Sequence, residues 1–190
     1  DSDEDGNGTW KIYLAMPGIR GGAMDGGDEY EAAGTPSGID PGDVGDTKDL
    51  DIVFGGRTSS GHGAVAKTLG EPLGAPMDIT HYPAGADPSD VALADLDGDG
   101  LVDLAITSAL NDNVALLRQD PGSPGDFLAA IMVPLGDGPR SMTAIDFDID
   151  GDIDLAVVMT NEEGDRQVRI LQNDGNLSFT SIDAASGENV

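Results

Sequence analysis

Asp95-Leu96-Asp97-Gly98-Asp99-Gly100-Leu101-Val102-Asp103 places carboxylates at positions 1, 3, 5 and 9 of a nine-residue segment, with Gly at position 6. Alternate residues at positions 1, 3 and 5 can wrap their side chains around one point. The Gly permits a sharp turn, often with positive φ. Position 7 adds a backbone carbonyl, and position 9 a further carboxylate. Every donor is a hard oxygen, which suits Ca²⁺ at about 2.3–2.6 Å. Zn²⁺ or copper would call for His or Cys. Mg²⁺ demands a tighter octahedral shell that keeps several waters and is the second choice. Two carboxylates about 4 Å apart repel by about 1–4 kcal/mol at surface-like dielectrics. Four in one short loop therefore resist closing without a cation, so metal is expected to contribute to folding. One Asp-Gly turn would need no explanation beyond turn chemistry.

The segment is not alone. Val91 to Ile106 aligns without a gap with Met142-Thr-Ala-Ile-Asp146-Phe-Asp148-Ile-Asp150-Gly-Asp152-Ile-Asp154-Leu-Ala-Val157. A decayed copy runs from Ile39 to Phe54, and a fourth opens the chain at Asp1-Ser-Asp3-Glu-Asp5-Gly6-Asn7-Gly-Thr9. The loops begin at positions 1, 43, 95 and 146, and Pro36, Pro88 and Pro139 each sit seven residues before a loop. Periods of 42, 52 and 51 residues with shared landmarks mark a repeat architecture.

The candidate ligands follow copy by copy. The third loop offers Asp95, Asp97, Asp99, the Leu101 carbonyl and Asp103. The fourth offers Asp146, Asp148, Asp150, the Asp152 carbonyl and Asp154. The first offers Asp1, Asp3, Asp5 and the Asn7 carbonyl, with Thr9 in place of the last Asp, so weaker binding is expected. The second has Gly45, Thr47 and Lys48 at positions 3, 5 and 6, and no site is assigned there. An EF-hand needs a Glu at position 12 and flanking helices. Position 12 here is Ile106 or Val157, inside a strand-like run.

Each period reads as short strands. Val91–Ala94 enters the loop and Leu104–Thr107 leaves it; Asn113–Arg118 and Phe127–Val133 follow. The last period gives Leu155–Met159, Gln167–Leu171 and Leu177–Ile182, bounded by turn clusters such as Asn173-Asp-Gly-Asn176. Four short strands per period suit a propeller blade. The expected fold is all-β: a β-propeller-like array of about four antiparallel sheet repeats with Asp-rich calcium loops. It forms a single repeat domain over 1–190, with repeats at about 1–35, 36–87, 88–138 and 139–190. Gly18–Gly38 is expected to be an irregular loop.

At these loops and their flanking strands the chain resembles the FG-GAP/VCBS repeat family, the calcium-loop β-propeller repeats also found in integrin α-subunits. Phe54-Gly55-Gly56 is similar to the family's Phe-Gly element. The resemblance implies one four-stranded antiparallel sheet per repeat, with calcium in a loop near the inner strands. Closed propellers of the family commonly have seven blades, whereas four loops occur here. The first repeat lacks its entering strand, and the two ends are cut in nearly the same phase. The sequence is therefore expected to be a piece of a longer array, or to have ends that meet within one molecule or head to tail between molecules.

Composition fits this reading. The net charge of −27 comes from 36 acidic and 9 basic residues, and 29 of the acids are Asp. So acidic a chain repels nucleic acid and anionic membranes. The Asp bias favours oxygen-lined loops, with a salt-adapted proteome as the rival source. The absence of Cys excludes disulfides and thiolate sites. No apolar run reaches membrane-spanning length, and no signal peptide is visible. His62 lies in a Gly-Ser turn and makes no convincing nucleophile pair, and no phosphate-binding Gly motif occurs. The functional expectation is a secreted or cell-surface, non-enzymatic, calcium-stabilised adhesive or structural protein. Its partners would be other proteins or copies of itself, in a surface layer or filament, with carbohydrate a minor option. The alternative is an accessory propeller module of a secreted carbohydrate-active enzyme or receptor.

Overall fold

The computed structural model describes residues 9–10, 32–33, 35–45, 51–57, 62–68, 82–161 and 163–183. Among them there is no helix. A two-stranded ladder joins β1 (Thr9–Trp10) to β2 (Ala32–Ala33). Three four-stranded antiparallel sheets follow, each built from strands consecutive in sequence. The first holds β3 (Thr35–Gly42), β4 (Asp51–Arg57), β5 (His62–Thr68) and β6 (Tyr82–Ala86). The second holds β7 (Pro88–Ala94), β8 (Asp103–Ser108), β9 (Asn113–Leu117) and β10 (Ile131–Pro134). The third holds β11 (Pro139–Ile145), β12 (Asp154–Thr160), β13 (Arg166–Asn173) and β14 (Phe179–Asp183).

The strand register makes the sheets superimposable. Gly42 pairs with Asp51, Ala94 with Asp103 and Ile145 with Asp154, so each Asp-rich loop closes the hairpin between the first two strands of its sheet. The run Phe127–Val133 is broken rather than one strand. Phe127 makes a lone bridge to Gln119, and the ladder resumes only at Ile131. Phe179 pairs likewise with Asn173 and opens β14, while Leu177 takes a left-handed turn conformation instead of extending that strand.

Side chains alternate across the sheets, and the sheets pack face to face. Val91, Leu104, Ile106, Ala115 and Leu117 of the second sheet bury against Val44, Val53 and Ala84 of the first. The opposite face, with Ala92, Ala105, Val114 and Leu116, buries against Met142, Leu155, Val157, Met159 and Leu171 of the third. This explains why β8 is buried without alternation: both of its faces are covered. Burying each of the Val, Leu, Ile and Met side chains among them contributes about 1.5–3 kcal/mol.

The leading strands β3, β7 and β11 run side by side. Each seam carries an Asp that accepts from the next strand's backbone: Leu93 N–H donates to Asp40 at 2.9 Å, and Met142 N–H to Asp90 at 2.8 Å. A Cβ at Gly38 would lie 2.7 Å from the Asp90 backbone, so glycine is needed for that approach.

Candidate metal centre

In the third-repeat loop, carboxylate oxygens of Asp95, Asp97 and Asp99 lie within 4.8 Å of one another. The loop is wound by its own side chains. Gly98 and Gly100 N–H groups donate to the two Asp95 oxygens, Asp99 N–H to Asp97, and Leu101 N–H to Asp99. These Asx turns bend the chain around the carboxylates. Gly100, at position 6, has φ of 87°, as the turn requires.

The fourth-repeat loop repeats the plan. Gly151 has φ of 102° and donates to Asp146, Asp150 N–H donates to Asp148, and Asp152 N–H to Asp150. Here the grouped oxygens come from Asp146, Asp148 and Asp154. Asp146 Oδ1 is buried and has no hydrogen-bond partner among the described residues. A buried carboxylate oxygen without a donor is costly, and a bound cation would satisfy it. The donor set of both loops fits a hard cation such as Ca²⁺.

The position-9 residues Asp103 and Asp154 are fully buried and act as knots. Asp103 accepts from Leu96 N–H at 3.0 Å and from Gln119 N–H at 2.8 Å. Asp154 accepts from Phe147 and Asn173 N–H, both at 2.8 Å. Asp154 thus ties the second residue of its loop to the last residue of β13, and Asp103 ties its own to Gln119, two residues past β9. A carboxylate has about four lone-pair sites, so these bonds leave capacity for a metal. Asp103 lies outside the third-repeat cluster of three, and Asp150 outside the fourth. Burial pushes the Asp103 carboxyl up to about 6; its two backbone donors oppose the rise, and the charges of Asp97 and Asp99 add to it. Asp152 is also raised, by desolvation first and then by Asp150, Asp174, Asp146 and Asp154. Carboxylates held unwillingly ionised favour a cation.

Four site residues have no counterpart in the nine-residue motif. Leu104 pairs with Leu117 and Leu155 with Leu171, so Arg118 is equivalent to Gln172 and Gln119 to Asn173. Arg118 Nε lies 2.9 Å from Asp97 Oδ2, as an ion pair whose N–H is not aligned for a hydrogen bond. Gln172 Nε2 donates to Asp148 in the same place. Gln119 and Asn173 donate to the Val102 and Ile153 carbonyls. The signal was in the sequence: Leu116-Leu117-Arg118-Gln119 and Ile170-Leu171-Gln172-Asn173 share two apolar residues followed by two long polar ones.

The first-loop ligands Asp1, Asp3, Asp5 and Asn7 lie outside the described residues, as do Asp46 and Asp49 of the decayed copy.

Residues 95–157 match the family described as the FG-GAP-like repeat. The matched stretch runs from Asp95, at the start of one loop, through the whole of the next. No curated protein matches the chain. No helix among the described residues is long and apolar enough to cross a membrane.

Proposed function

We propose that this chain is an extracellular, non-enzymatic, calcium-stabilised repeat module that mediates protein–protein contact, its sheets arranged as propeller blades. The observation that carries the reading is the pair of equivalent hairpin loops. Each gathers three carboxylates, and each is anchored by a buried Asp to the end of the third strand or just beyond it. Asp95, Asp97, Asp99 and Asp103 would hold one ion, and Asp146, Asp148, Asp150 and Asp154 a second, with the Leu101 and Asp152 carbonyls completing the shells. Bound Ca²⁺ supplies positive charge that offsets the crowding of carboxylates. The chain's own contribution is the wound loop that orients them. Millimolar extracellular calcium suits sites of this kind. The acidic surface, free of basic patches, fits a protein partner rather than nucleic acid.

Thermal melting with calcium and with chelator tests the proposal. A site filled to about 100 times its Kd adds about 2.7 kcal/mol, so a clear rise in Tm is expected. An Asp95→Asn, Asp146→Asn double variant should lose most of that rise. Identical melting with and without calcium would remove the metal from the account.

A further inference from the structure

Both inter-sheet seams are built from equivalent parts. In each, the residue at loop position 2 of the earlier sheet plugs the interface with the later one. Val44 is 0% exposed in the first seam, and Leu96 1% in the second. Their equivalent in the third sheet is Phe147, and it is 53% exposed. A second position on that face differs in the same direction. Val114 is fully buried by the third sheet, while its equivalent Val168 is 41% exposed. Ile145 is 47% exposed on the same face, while its equivalent Ala94 packs into the second seam; Ile182 is no more exposed than its equivalent Ile131, and Ile170 is buried. The third sheet therefore keeps an apolar covering face with nothing among the described residues covering it.

The other half of this interface occurs at the opposite end of the chain. Register equates Ile39 of β3 with Val91 and Met142. Val91 and Met142 are 4% and 8% exposed, each buried against the preceding sheet; Ile39 is 62% exposed. Two halves of one repeated interface thus stand open on one molecule, facing opposite ways.

We propose that the outer face of the third sheet, centred on Phe147, Val168 and Ile145, docks the first sheet of a second copy of this chain through Ile39. The reading rests on the protein-contact function proposed above and deepens it by naming the partner and both surfaces. The contact is heterologous, so it propagates head to tail. It joins sheets face to face, as within the molecule. Each copy carries a charge of −27, so repulsion opposes association and falls with screening. Phe147 sits between Asp146 and Asp148. Calcium there would remove charge at the contact itself, which makes the assembly calcium-dependent.

Sedimentation velocity of the full chain over a concentration series, with calcium, tests this. Wild type should shift to dimers and longer species as concentration rises. Phe147→Asp and Ile39→Asp should each remain monomeric alone, because each loses one half of the interface. Mixed together, each variant still offers one intact half, so the mixture should form dimers and stop there. Val168→Lys is a second block on the Phe147 side. Circular dichroism and the calcium-induced rise in Tm, read on every variant, report folding and metal binding separately from assembly. A monomer at all concentrations that still shows the calcium rise overturns the docking surface and leaves the calcium reading standing. So does assembly untouched by the substitutions, or a mixture that remains monomeric.

Discussion

Asn173 Nδ2 donates to the carbonyl of Leu96, 2.7 Å away and 77 residues earlier in the chain. The same amide donates to Ile153 at 3.0 Å, and the Asn173 backbone N–H donates to Asp154. Leu96 lies between two candidate ligands of one loop and Ile153 beside a candidate ligand of the next. One buried side chain therefore spans both candidate metal loops. Asn173→Ala leaves two carbonyls without that donor and should cost about 2–3 kcal/mol in denaturant unfolding. It should also uncouple the loops. In wild type, Asp95→Asn is expected to weaken calcium binding at the fourth-repeat loop, and in the Asn173→Ala background it should not. Calorimetric titration of the four proteins reads the coupling, and equal effects in both backgrounds would refute it.

Arg118 occupies the place in the third-repeat loop that neutral Gln172 takes in the fourth. Its guanidinium competes with any cation for Asp97. Arg118→Gln should raise calcium affinity at the third loop by up to about fivefold, since a partly exposed ion pair contributes up to about 1 kcal/mol. Stability in chelator should change little. An unchanged or lower affinity would show that the arginine assists the site.

Ile149 adopts φ of 65° at loop position 4, where the third-repeat loop has Gly98 at 73°. A β-branched residue there costs about 1–2 kcal/mol, partly offset by the entropy a glycine loses on folding. The side chain is almost wholly exposed, so it has little packing to lose. Ile149→Gly should stabilise the protein by about 0.5–1 kcal/mol in urea melts, and a loss of stability would contradict the strain argument.

Asp103 carries a folded-state pKa of about 6 against an ordinary 3.8. As pH rises through that window, the unfolded chain releases its proton before the folded one does. In chelator, stability should therefore fall between about pH 4 and pH 6 and level off above. The upward shift of Asp152 acts in the same direction. With calcium the slope should reverse, because the metal requires ionised carboxylates and acid expels it. Melting curves across this range, with and without calcium, check both signs.

The loops were legible because nine residues fix their own turn chemistry, and the strands because short apolar runs end at Gly, Asn and Asp. Which carboxylates converge was less so. Position 9 reads as a plain ligand, yet Asp103 and Asp154 are also held by backbone donors at or just past the end of the third strand, a contact no local pattern encodes. Arg118 and Asn173 reach the loops only through strand pairing and sheet stacking. The Phe127–Val133 run looked like one strand because its residues are apolar, but the ladder skips Leu128–Ala130. The open outer faces become visible only when equivalent positions are compared for burial.

The double covering of β8 sets an order of unfolding. Its backbone hydrogen bonds are shielded on both sides, whereas β14 is mostly exposed. In native-state deuterium exchange, amides of β14 should label early through local fraying. Those of β8 should label last, at the rate of global opening. A stack of sheets in which only the middle one is sheltered is thus a molecule with a slow centre and a fast end. Adding a neighbour at that end should slow its labelling strand by strand, beginning with β11 and β12.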